Sequence, residues 1–263
     1  MIAYFSILAQ YAHYYTTDSA YSSSSAAGAM GYSPVTLIGI LILIISGIIG
    51  YAIRNGLQSS VQRNSAIPAP LTGADTARLM LQQHGIHDVQ VISTPGQLTD
   101  HYNPIDRTIN LSEDVFNCAS VTAMAVAAHE CGHAVQHARA YPWLGLRSSL
   151  VPMVNLGSRL GSLILMVGMG LVFAGGGTTI AWIGLILFAS TTLFALITLP
   201  VEFDASRRAL AWLQQSGLAN RELHANAGNA LHWAAMTYVA AALSSLAMLI
   251  YYALILLGSG RRD

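Results

Sequence analysis

The sequence predicts a mainly α-helical polytopic membrane protein, with about four transmembrane helices around a small α+β unit. Three observations carry this. Of 263 residues, 54% are hydrophobic and only 9% are charged, where a soluble domain carries roughly 25% charged residues. The apolar residues are gathered into long uncharged runs. Between the first and second runs lies a polar stretch with ordinary helix, strand and turn signals.

The remaining composition narrows the function classes. Twelve basic residues, all Arg, balance twelve acidic ones. This neutral balance argues against nucleic acid as a partner. Cys118 and Cys131 do not make a disulfide framework.

In chain order, residues 1–34 carry one charge, Asp18, with six tyrosines and a serine run at 22–25. They lack the basic start of a signal peptide. They read as a flexible segment whose Ile2 to Ala12 portion forms an interfacial helix. Residues 35–53 are uncharged and apolar, close to the ~20 residues that cross a bilayer. Residues 54–149 form the α+β region. Thr72 caps a helix that ends before Gly85. Val89 to Ser93 alternates as a strand. Leu98 to Tyr102 and Arg107 to Leu111 flank an Asn-Pro-Ile-Asp turn as a hairpin. Ser112 caps a short helix, and Ser120 caps the next, which runs to Ala138. Residues 150–199 read as a hairpin of two spans joined at Gly175–Gly177, with Pro200 as its end. The first of the two has a short apolar part, so it starts in the polar region or lets Arg159 snorkel. Residues 200–232 are polar, 233–257 form the fourth span, and 258–263 are a tail.

The chemistry is concentrated in His129-Glu130-Cys131-Gly132-His133, inside the Ser120 helix. Residues four apart share a helix face, so His129 and His133 can give an imidazole nitrogen to one ion. Glu130 lies beside them, within reach of a water on that ion. H-E-x-x-H on a helix is the arrangement of zinc metallopeptidases.

A catalytic zinc needs a third protein ligand. No Asp or Glu stands between Glu130 and Glu202. His137 lies eight residues beyond His129, about 12 Å along the axis, too far to join both histidines on one ion. The position of a metzincin third histidine holds Arg139. Glu202 remains, returned to the same side by the hairpin, with Asp204 as the substitute.

Taken together, several stretches resemble the YugP-like membrane zinc metallopeptidases, and more distantly the HtpX-type membrane proteases. They are residues 71–74, 98–102, 127–137, 146–152, 199–209 and 237–241. The resemblance implies a gluzincin-type endopeptidase, membrane-embedded, with one Zn2+ per chain on His129, His133 and Glu202. It implies Glu130 as general base and acid. In the distant relatives an Asp four residues after the glutamate ligand orients a ligand histidine. Here that position is Ser206.

The expected reaction is peptide-bond hydrolysis by a zinc-activated water. Tyr102, His101, Tyr238 and Arg208 are the candidate donors to the oxyanion, Tyr102 and Tyr238 foremost. The strand carrying Tyr102 is expected to border the cleft; it reads either as the edge that takes a peptide or protein substrate by strand addition or equally as an ordinary hairpin with a polar face. A non-catalytic zinc scaffold or sensor is the alternative; it would need the two histidines and Glu202 but not Glu130. Arg54, Arg63, Arg139, Arg147, Arg207 and Arg208 fall on the side of the His129 helix. By the positive-inside rule the site faces the cytoplasm, here of a prokaryotic plasma membrane. Arg261 and Arg262 run against the rule. Substrate identity and oligomeric state leave no mark in the sequence.

Overall fold

The computed structural model describes residues 34–259. The expected N-terminal interfacial helix and the arginines of the tail lie outside them. Helix α1 (Pro34–Ser65) starts at a proline and runs twelve residues past Ile53. Its apolar half turns large side chains outward: Leu41 is 56% exposed and Ile48 63%. That is the signature of a helix solvated by hydrocarbon. One side of its polar half is packed. Ser60 is buried and donates to Asn229 at 2.7 Å.

The polar unit follows. Helix α2 (Gly73–Gln83) is capped by Thr72, which accepts from the Asp75 N–H at 3.1 Å. Gly85 ends it with φ +71°, a conformation glycine adopts without cost. Strands β1 (Gln90–Thr94), β2 (His101–Asn103) and β3 (Thr108–Ser112) form one sheet in the order β1-β3-β2. β2 and β3 are the expected hairpin, in register Tyr102 to Ile109. The side chain of Asn103 closes its turn by accepting from Ile105 and Asp106. β1 pairs parallel with β3, so β2 is left with one free edge.

Ser112 does not cap α3 (Glu113–Asn117) as expected. Its hydroxyl and N–H both turn to the buried Asp100 carboxylate. A charged acceptor makes the stronger hydrogen bond.

Helix α4 (Val121–Ala138) is capped by Ser120 and is the centre of the unit. Ala123, Ala125, Ala127 and Ala128 are at most 2% exposed. A helix buried nearly all round needs small side chains where neighbours close in.

Helix α5 (Pro142–Leu156), a π-helical turn (Gly157–Gly161) and α6 (Ser162–Phe173) stand where one span was expected from residue 150. The pair bends by 40°. It starts eight residues earlier than that span, and Pro152 removes one helical N–H near the bend. Helix α7 (Thr179–Gln215) runs straight through Pro200, which does not end it. The lost hydrogen bond is offset by burial beyond it: Val201, Glu202, Ala205 and Ala209 are 0–1% exposed. Gly217, at φ +70°, turns the chain, and Asn220 caps α8 (Arg221–Ser259) by accepting from Leu223. Among the described residues α1, α7 and α8 are long and apolar enough to span a membrane; the bent pair is a fourth if it counts as one.

The layers meet at close backbone approaches. A Cβ on Gly184 would lie 2.3 Å from the Leu165 nitrogen, and one on Gly168 2.3 Å from that of Ala181. These lock α6 against α7. Gly132 of α4 plays the same part for the polar unit, since a Cβ there would lie 2.6 Å from the Ala205 carbonyl of α7. Gly132→Ala should therefore destabilise by about 1–3 kcal/mol, the usual cost of overpacking. Gly145→Ala, where nothing lies within 4 Å, should leave thermal unfolding in detergent unchanged. Equal unfolding midpoints for the two variants would show that the α4–α7 contact is not tight.

Candidate metal centre

The Gly132–Ala205 contact sets the geometry of the site. On α4, His129 and His133 project from one face, with ring centroids 4.8 Å apart. On α7, Glu202 lies one turn before Ala205, and it is 1% exposed. His129 Nε2 is 3.3 Å and His133 Nε2 3.6 Å from Glu202 Oε2. Among the described residues these three form a group able to hold an ion, with ligand atoms all within 4.8 Å of one another. Atoms bound at about 2.1 Å in a tetrahedral zinc site stand about 3.4 Å apart. The buried Nε2 of His133 has no hydrogen-bond partner. An orphaned buried imidazole nitrogen is costly unless something else takes its lone pair. Two imidazoles and a carboxylate are a zinc donor set, so the residues fit the ion.

Each histidine is held through its other nitrogen. Ser206 Oγ lies 3.1 Å from His129 Nδ1. His133 Nδ1 lies 3.0 Å from Gln136 Oε1.

Glu130 is 6% exposed, and burial pushes its carboxyl up to about 7. His129 pulls it down, Glu202 and Asp100 push it further up, and the Tyr102 N–H pulls it down. That N–H donates to Glu130 Oε2 at 2.9 Å. The strand expected to border the cleft therefore touches the Glu130 carboxylate with its main chain.

The other expected residues divide. Tyr102 turns its hydroxyl to His137 Nδ1 at 2.7 Å. Tyr238, on α8, brings its hydroxyl to the Glu202 carboxylate. His101 is bonded to the Thr99 carbonyl through Nδ1. Arg208 donates to Asp204 at 2.6 Å. Asp204, the substitute ligand, also accepts from Gln136, outside the His129, His133, Glu202 group. Asp100 is spent on Ser112; burial raises its carboxyl and the Ser112 bonds oppose this.

Two neighbours were not anticipated. Arg147 of α5 places Nη1 3.9 Å from Glu202 Oε1, and its guanidinium lies over the Phe194 ring. Nothing local marks it, because its position follows from how α5 packs. Gln136 was legible in principle, since it stands three residues after His133 on the same helix face.

Comparison with known proteins agrees with this geometry. A family model described as "Putative neutral zinc metallopeptidase" matches residues 36–257. The "Putative membrane protease YugP" of Bacillus subtilis (strain 168) is 41% identical over 209 residues, covering 79% of this chain and 91% of that protein. No solved structure matches the chain. With a family match across nearly all the described residues, and two imidazoles and a carboxylate converging inside it, this membrane protein belongs to the neutral zinc metallopeptidase family.

Proposed function

We propose that the chain is an HExxH endopeptidase of the gluzincin type, holding one zinc ion per chain on His129, His133 and Glu202. The observation that carries this is the convergence of those three side chains, with a buried, unpartnered nitrogen on His133 and Glu130 beside them. Bound there, zinc supplies a Lewis-acid charge that acidifies a water and polarises a scissile carbonyl.

The protein's own groups do the rest. Glu130 accepts a proton from the attacking water as the oxygen adds to the carbonyl carbon. It then hands that proton to the amine nitrogen as the C–N bond breaks. Burial raises the proton affinity of the Glu130 carboxyl, which favours its holding the proton between the two steps. The Tyr102 N–H keeps Glu130 in its rotamer. Tyr238 and Arg147 flank the Glu202 carboxylate and are the groups best placed to steady a developing oxyanion. The Tyr102 hydroxyl, turned to His137, is less well placed for that role.

The substrate lies along β2. In an antiparallel pair the N–H and C=O of one residue point the same way. Since the Tyr102 N–H is given to Glu130, its carbonyl also faces away from β3 and can accept an N–H from an extended peptide. An edge that pairs with a chain running past it suits cleavage within a chain. A non-catalytic zinc scaffold would have no use for Glu130 in this position.

The arginine distribution supports a site on the cytoplasmic side. The division expected from the sequence, a polar unit at 54–149 joined by a Glu202 segment at 200–232, describes one catalytic body built on the ends of α1, α7 and α8.

Metal content measured beside peptidase rate tests the roles. Glu130→Gln should keep its zinc and lose ~10²–10⁴-fold in rate, the usual worth of a general acid–base group. Glu202→Ala and His133→Ala should lose zinc and activity together. Full zinc in Glu202→Ala would remove it from the ligand set, and full activity in Glu130→Gln would remove the base. Treatment with a strong chelator should abolish cleavage, and added zinc should restore it. Orientation has its own check. A cysteine placed at Ser59 should stay unlabelled by an impermeant reagent outside intact cells, and labelling there would reverse the topology.

A further inference from the structure

Gln136 is fully buried, and its side chain makes three hydrogen bonds. Its Nε2 donates to the Val201 carbonyl at 2.8 Å and to Asp204 Oδ2 at 2.9 Å. A carbonyl and an ionised carboxylate only accept. Turning the amide round would set oxygen against two acceptors, so its nitrogen must face α7. Its oxygen must then face His133 Nδ1, 3.0 Å away. An amide oxygen also only accepts, so His133 carries its proton on Nδ1. The lone pair is left on Nε2, the buried atom with no hydrogen-bond partner. Asp204 is in turn held by Arg208, which donates to the same Oδ2 at 2.6 Å.

His129 is held differently. The Ser206 hydroxyl beside its Nδ1 can donate or accept, so it does not choose a tautomer. The two histidines are therefore unequal, and only His133 is fixed by protein groups that cannot reverse.

We propose that Gln136 is a positioning residue that locks His133 in the Nδ1–H tautomer, through the chain Arg208–Asp204–Gln136–His133, and so readies Nε2 for zinc. The proposal rests on the metal-site reading above and goes one shell further out. It also gives Asp204 and Arg208 a part in metal affinity without contact with the ion. The link crosses from α7 to α4 and ties the Glu202 helix to the histidine helix beside the ion itself. Partners that orient a ligand histidine typically change metal affinity 10–100-fold when lost.

The test uses the full chain in detergent or bilayer discs, with zinc affinity read by competition against a chromophoric chelator. Gln136→Met keeps length and burial but cannot make the three hydrogen bonds. Its zinc affinity should fall about 10–100-fold, with helix content by circular dichroism unchanged. Gln136→Glu alone sets two carboxylates face to face and should also weaken binding. Adding Asp204→Asn returns an amide donor opposite the new carboxylate. The double variant should then regain most of the lost affinity, a rescue that a merely space-filling role would not produce. Native affinity in a folded Gln136→Met overturns the proposal. So does a folded double variant that binds no better than Gln136→Glu, which decides the matter if the Met variant does not fold. Failure of the underlying site reading would look different: zinc would be absent from the unmodified chain, or bound as well by His133→Ala.

Discussion

The α4–α7 contact at Gly132 and Ala205 is the constraint on which the rest depends. Two helix backbones can meet this closely only where one residue has no side chain. The contact falls at a free position of the H-E-x-x-H stretch, between the two histidines. Glu202 is one turn before Ala205 and Ser206 directly after it. Three hydrogen bonds of the site span this seam: Ser206 to His129, and Gln136 to Val201 and Asp204. The seam is buried on both sides, so these polar groups satisfy one another away from water. Buried polar networks reward completeness and punish gaps, and the His133 nitrogen is the gap that the proposed ion would fill.

Three helices carry the seam into the membrane. α1, α7 and α8 each have a stretch with apolar side chains turned outward and a stretch with one side packed on the polar unit. The change comes within one unbroken helix. The Glu202 carboxylate therefore sits on a rod whose other half is solvated by lipid, and no loop intervenes to absorb movement between them. Pro200 is the one proline on that rod, and it has no N–H to give to the helix.

The sequence was most readable where structure is decided locally. Thr72 and Ser120 cap their helices because the helix start is only three residues away. Gly85 ends α2 by its own backbone freedom. The two histidines share a face by helical arithmetic. Glu202 could be reached by elimination because acids are so scarce in the second half of the chain. Reading failed where a distant group outbid a local one. Ser112 found the buried Asp100 carboxylate, just before β2, instead of its own helix. Pro200 was overruled by the burial of the residues after it. Arg147 enters from a helix whose bend and tilt no short pattern encodes. At Ser206 a hydroxyl reaches the His129 Nδ1 from the neighbouring helix.

The hold on Glu130 comes from the main chain of residue 102 rather than from its side chain. Every amino acid but proline brings that N–H, so under the proposed mechanism the base is insulated from point changes at the strand proposed to meet the substrate. On that reading the side chains of β2 are free to change, reshaping what is accepted, while the proposed proton-handling group stays where it is. Selectivity and reactivity are written in separate parts of the same three residues, one in side chains and one in backbone. A lineage can revise the first without disturbing the second.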